Sequence, residues 1–219
     1  MLAERLAKVE ERIQNAANRA GRKRDEITLV AVTKKFPAEV TREAYELGLR
    51  VFGENYVQEF ERKHPSLSDL VNVEFHLIGH LQSNKSRIAG DIFQVIETVD
   101  SEKLARRLDQ LNRPLEVMIE VKLSHEESKE GAPPESLPGL IAAIRTCPNL
   151  RLTGLMTMPP WCDDPEVTRP YFRTLATLAR EHGLPKLSMG MSHDLEAAIE
   201  EGSTHVRVGT ALFGPRKKD

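Results

Sequence analysis

The chain is poor in cysteine. Cys147 and Cys162 are its only two, too few for a disulfide framework. Neither has a cysteine or histidine at metal-ligand spacing, so a structural zinc site is not expected. Long apolar runs are also missing: none approaches the roughly 20 residues that span a bilayer. The opening Met1-Leu2-Ala3-Glu4-Arg5 is amphipathic and carries an acid, unlike a secretory leader. Nor is there an excess of one charge. Lys and Arg number 31 against 33 Asp and Glu, a formal net charge of −2, so no global field draws nucleic acid or an anionic membrane. The basic run at 215–219 reads as a solvated tail. These absences predict a cytoplasmic protein. Without a sizeable apolar surface, a monomer is the expected state.

What the chain does have is alternation. Leu2, Leu6, Val9, Ile13 and Ala16 recur at helical spacing before Gly21. Strand-like runs then follow at Thr28–Thr33, Arg50–Gly53, Val73–Ile78, Phe93–Val99, Leu115–Val121, Arg151–Met156, Lys186–Met189 and His205–Val208. Helical patterns separate them at Ala38–Leu47, Tyr56–Lys63, Ser83–Ala89, Ser101–Leu111, Glu135–Arg145, Pro165–His182 and His193–Glu201. Asp100 or Ser101 is placed to cap the fourth of these helices, and Ser192 stands just before the seventh. Eight strands interleaved with helices over about 200 residues predict an α/β fold, one (β/α)8 barrel domain over 1–219. The opening helix would then stand in for a missing eighth outer helix. An open doubly wound sheet is the alternative. The polar loop Ser124–Pro134 reads as a surface flap.

In such a barrel, chemistry gathers at the C-terminal ends of the strands. Lys34 and Lys35 end the first strand, and side-chain alternation lets only one face the barrel mouth. Lys34 would share the inner face with Val32, Val30 and Thr28; Lys35 would share it with Thr33, Ala31 and Leu29. Both sets are plausible filler, so the pattern leaves the choice open. A lysine there gives up hydration, which favours the neutral, nucleophilic amine. Gly53-Glu54-Asn55-Tyr56 ends the second strand, and Asn55 can donate and accept at the mouth. His76 and His80 lie in and after the third strand, lining the mouth; their spacing suits a shared metal only on a helix. Met156 and Met158 end the sixth strand, where thioethers wall a flat aromatic ring or fill the core. Gly190 and Ser192, then Arg207, Gly209 and Thr210, finish strands seven and eight, where barrels of this kind often hold phosphate. An amine opposite an anion cradle suggests an aldehyde that carries a phosphate.

These residues resemble a known family. Val-Thr-Lys34, Phe-Gly-Glu-Asn55, His76-Leu-Ile-Gly-His-Leu-Gln-Ser-Asn-Lys85, Glu-Glu-Ser-Lys129-Glu-Gly131, Gly-Leu-Met156, Ser-Met-Gly-Met-Ser192 and Val-Arg207-Val-Gly-Thr210, followed by Phe-Gly214, look like the pyridoxal phosphate homeostasis protein family. Those small proteins are similar to the barrel domain of bacterial alanine racemase. The resemblance runs from about Met1 to Gly214. It implies that Lys34, not Lys35, is the Schiff-base lysine for pyridoxal 5′-phosphate. It places Ser192, Gly209 and Thr210 on the phosphate, Arg207 at the pyridine nitrogen, and Asn55 beside the cofactor, with His76 and Met156 in the same site.

A guanidinium beside the ring nitrogen disfavours a second positive charge there, which makes the ring a weaker electron sink. Racemisation also needs acid/base groups on both faces of the substrate α-carbon. By resemblance, alanine racemase takes the second from a C-terminal domain of its partner chain, which this chain is expected to lack. Tyr56 is the only obvious substitute. The resemblance therefore implies a protein that holds the cofactor reversibly, buffers it, and hands it to apo-enzymes. The competing readings are an amino-acid racemase using Tyr56 or a water, and a cofactor-free aldolase.

Overall fold

The computed structural model of the chain describes residues 1–124 and 130–215. The predicted flap, the Lys129 motif and the basic tail fall partly outside the described residues. Eight parallel strands close in chain order into a barrel: β1 (Thr28–Val32), β2 (Val51–Glu54), β3 (Glu74–Leu77), β4 (Val95–Val99), β5 (Leu115–Glu120), β6 (Leu150–Met156), β7 (Lys186–Met191) and β8 (His205–Val208). β8 returns to β1 with Val30 opposite Arg207, so no strand is left as an edge.

The outer layer is α1 (Leu2–Arg19), α2 (Ala38–Glu46), α3 (Val57–Lys63), α4 (Ser86–Ile92), α5 (Glu102–Asp109), α6 (Leu137–Arg145), α7 (Arg169–Glu181), α8 (Leu195–Glu200) and α9 (Thr210–Phe213). Ser101 caps α5, its hydroxyl accepting from Leu104 N. Ser192 does not cap α8. The cap position falls to Asp194, whose carboxylate accepts instead from Met191 N at 2.7 Å.

Alternation along β1 divides two cores. Leu29 and Ala31 pack outward in the layer between sheet and helices, leaving Val30 and Val32 for the inner face. The outer layer carries most of the apolar burial. Phe60 of α3 sits 4.7 Å from Phe75 and 4.8 Å from Phe93, ring centre to centre. Each such buried side chain contributes about 1.5–3 kcal/mol of transfer free energy. α1 buries Val9, Ile13, Ala16 and Ala17 and packs on α8 and α9. Arg12 clasps Glu196 of α8 through two bonds of 2.6 and 2.8 Å, and Arg19 reaches Glu200 at 2.7 Å. The opening helix thus covers the flank that the one-turn α9 is too short to cover.

Candidate functional site at the barrel mouth

The turn after β1 separates the two lysines. Phe36 N donates to Thr33 O at 3.1 Å, and Lys35 takes a left-handed φ of +62°. Lys35 N donates to Glu59 on α3, so this residue faces the outer hollow shared with Tyr56. Lys34 faces the mouth beside Val32. The turn is held from behind. The buried Lys63 ammonium donates to Thr33 O at 3.0 Å and Phe36 O at 3.1 Å, and also pairs with Glu54. Glu54 accepts from the Thr33 hydroxyl at 2.7 Å. Burial raises the Glu54 carboxyl above its ordinary range, against the opposing pull of Lys63.

Asn55 follows Glu54 and enters the mouth. Its backbone lies against Gly79, where a Cβ would come within 2.3 Å of Asn55 O; only glycine permits that approach. Asn55 Oδ1 is buried and has no hydrogen-bond partner.

β7 and β8 supply the opposite wall. Gly190 has φ +89°, and a Cβ there would stand 2.4 Å from Ala198, so the chain turns tightly into Met191-Ser192. The Ser192 hydroxyl accepts from Ala211 N at 3.2 Å, which ties the end of β7 to the segment Gly209-Thr210-Ala211. Arg207 rises from β8 below them and is almost fully buried. Its guanidinium donates to Ser188 Oγ at 2.7 Å and Thr157 O at 2.9 Å. Burial disfavours its charge, while Glu97, Asp194 and Glu120 favour it.

Beneath the mouth the barrel interior is polar. The Ser188 hydroxyl donates to Glu97, and Glu97 faces His76 Nδ1 at 2.6 Å. His76 Nε2 lies 3.4 Å from Glu74. Burial opposes the His76 charge, but Glu74 and Glu97 outweigh it and bring the group to about 9. Burial likewise opposes ionisation of Glu97, and His76 and Arg207 overcome it, leaving Glu97 at about 2. His205, with a ring 6.1 Å from that of His76, is pushed down to about 4 by burial.

The walls enclose a cavity of about 570 Å³. Lys34, Asn55, Ser192, Arg207, Gly209 and Thr210 all line it. His76 and Met156 do not. His76 sits deeper, next to residues that begin β3 and β8, because its place in the strand sets its depth. Met156 is fully buried, and Met158, two residues further toward the mouth, lines the cavity instead. His80 is not among the lining residues either: it lies half-exposed, 3.7 Å from both Asp100 and Glu130. Trp161 and His193 also line the cavity, with rings 4.8 Å apart, and His193 Nε2 is buried without a partner. Sequence reasoning passed over both. The available signal was the chain's single tryptophan in the loop after β6.

Residues 5–217 match the family model of the alanine racemase N-terminal domain. The pyridoxal phosphate homeostasis protein of Aquifex aeolicus is 47% identical over 224 residues, covering 98% of each chain. Its counterpart in Pseudomonas aeruginosa is 47% identical over 221 residues, covering 98% of this chain and 96% of that one. Among solved structures, PipY of Synechococcus elongatus with pyridoxal phosphate bound superposes with a TM-score of 0.86 at 37% identity, over 98% of this chain and 100% of that one. With this likeness along nearly its whole length, the chain belongs to the pyridoxal phosphate homeostasis protein family.

Proposed function

We propose that this chain holds pyridoxal 5′-phosphate reversibly as a Schiff base on Lys34 and takes part in homeostasis of the cofactor inside the cell. It buffers the free level and delivers the cofactor to apo-enzymes, without strong catalytic activity of its own. One observation carries the reading: Lys34 and the Ser192, Gly209 and Thr210 group line the same cavity. An amine and an anion cradle are thereby presented to one small molecule. The orphaned Asn55 Oδ1 fits as well, since an unpaired buried acceptor costs about 1–3 kcal/mol that a ligand donor relieves.

The roles divide by element. The Ser192 and Thr210 hydroxyls and the backbone at Gly209 hold the phosphate. Arg207 would stand against the pyridine nitrogen, and Asn55 would lie beside the ring. The Lys34 amine would hold the aldehyde end of the cofactor covalently and reversibly, with water as the only other species exchanged. When bound, the cofactor supplies an electrophilic carbon and an electron sink. The Arg207 guanidinium would disfavour a proton on the ring nitrogen and so weaken that sink. Tyr56 lines the outer hollow with Lys35, not the cavity, which disfavours it as a second base for racemisation. The same proposal places the chain in the cytoplasm as a monomer. No helix of the described residues is long and apolar enough to cross a membrane.

The test is an absorbance titration of the purified protein with pyridoxal phosphate, followed by transfer to an apo-aminotransferase. The proposal expects a yellow complex that reactivates the acceptor. A protein that gains no absorbance contradicts it and favours cofactor-free chemistry at the lysine. Sustained exchange of an amino acid's α-proton at enzyme-like rates, lost in Tyr56→Phe, shows a racemase instead.

A further inference from the structure

Beneath the cavity lies a buried polar network of which only Arg207 has a place in the cofactor contacts just assigned. His76, Glu97, Ser188 and Arg207 are each the third residue of their strands, β3, β4, β7 and β8. They form a belt across the interior, and each is at least nine-tenths buried. The contacts are continuous. Glu74 meets His76 Nε2 at 3.4 Å; His76 Nδ1 meets one oxygen of Glu97 at 2.6 Å. The Ser188 hydroxyl donates to the other oxygen of Glu97 and accepts from Arg207 Nη1 at 2.7 Å. Only Arg207 of the four lines the cavity.

Holding charges away from water costs several kcal/mol per ion unless partners satisfy them. Packing alone does not call for ions here, because an apolar belt of similar volume is often at least as stable. The connectivity suggests another use. Arginine has rotamer freedom to lose, and a planar fork is useful only when its direction is fixed. Here Nη1 is fixed by Ser188 and Nη2 by Thr157 O at 2.9 Å. The Ser188 hydroxyl accepts from Arg207 through a lone pair, and its rotation is fixed once its single hydrogen is committed elsewhere. Glu97 takes it. Glu97 in turn stays anionic beside His76.

We propose that Glu97 and Ser188 are positioning residues for Arg207, and that His76 completes the chain by fixing Glu97. Together they set the direction of the guanidinium presented to the ring nitrogen of the bound cofactor. This rests on the reading that the cavity takes pyridoxal phosphate. It gives His76 an indirect role, acting on the ligand through Glu97, Ser188 and Arg207.

The experiment compares the wild type with Ser188→Ala, Ser188→Thr and Glu97→Gln, each loaded with pyridoxal phosphate labelled with ¹⁵N in the ring. The readouts are the ring ¹⁵N chemical shift, the visible absorption maximum, the dissociation constant and the melting temperature without cofactor. Ser188→Ala is expected to move the ¹⁵N shift and the absorption maximum and to weaken binding about tenfold, the loss of one well-aligned charged hydrogen bond. Ser188→Thr, which keeps the hydroxyl, restores both spectra. Glu97→Gln moves the ¹⁵N shift in the same direction as Ser188→Ala. If Glu97→Gln fails to fold, the serine pair decides alone. A Ser188→Ala protein that binds the cofactor with wild-type spectra overturns the inference, as does one that lowers the melting temperature and leaves the ring signal unmoved. A wild type that forms no coloured complex sinks the cofactor reading itself, which is a different failure.

Discussion

The mouth and the belt beneath it are both polar regions inside one barrel, and they differ in what is left unpaired. In the belt, each of His76, Glu97, Ser188 and Arg207 has a hydrogen-bond partner within the protein. At the mouth, Asn55 Oδ1 and His193 Nε2 are out of contact with water and bonded to nothing. A satisfied network rigidifies, and an unsatisfied one stores a cost that a ligand can remove. The turn after β1 places two lysines differently. Lys63 behind it is fixed by two carbonyls and Glu54, while Lys34 in front lines the cavity. One lysine holds the loop in place, and the other is offered by it.

The largest effect should come from breaking that pairing in front. Lys34→Ala is expected to abolish the borohydride-sensitive chromophore and to leave weaker, phosphate-anchored binding. Lys35→Ala should keep the chromophore, and its loss there would reverse the assignment of the two residues. Behind the turn, Lys63→Met leaves Glu54 buried without its cation. Urea denaturation should show a loss of about 3–5 kcal/mol, and a neutral result would mean that the turn holds itself.

The belt offers a pH test. The folded value of His76 is about 9, against an ordinary 6.5. The folded state therefore binds the proton more tightly, and its contribution is fully present below pH 6.5. It is lost as pH rises through 9, on the order of 3 kcal/mol in all. His76→Gln should flatten the fall in stability between pH 6.5 and 9, and an unchanged slope would contradict a charged His76. The smallest effect belongs to the mouth. Thr210→Val should weaken cofactor retention by about 1–3 kcal/mol in equilibrium dialysis, and wild-type retention would remove Thr210 from the cradle.

The barrel was legible in the sequence because each strand is a short apolar run bounded by a helical pattern. Boundaries moved by one to four residues where capping and turn geometry decide them. α4 and α7 begin later than their patterns suggest, each behind a 3-10 turn, Ser83–Lys85 and Pro165–Val167. α9 went unseen because four residues cannot show a 3.6-residue period. The choice between Lys34 and Lys35 was closed to pattern reading, since both inward sets are apolar or small. The left-handed turn at Lys35 makes the division, and nothing in composition announces it. The depth of His76 was hidden for a related reason. Depth in a barrel depends on the register between strands, which a linear sequence does not display. Trp161 and His193 meet only through the folding of two loops.

The central claim is a covalent bond between the Lys34 amine and the cofactor aldehyde. Borohydride reduction of the loaded protein, followed by peptide mapping in a mass spectrometer, tests it most directly. The account predicts a single pyridoxyl phosphate adduct on the peptide carrying Lys34, located on that residue. An adduct on Lys35, Lys63 or another lysine, or an unmodified Lys34 in a protein that had turned yellow, would contradict it.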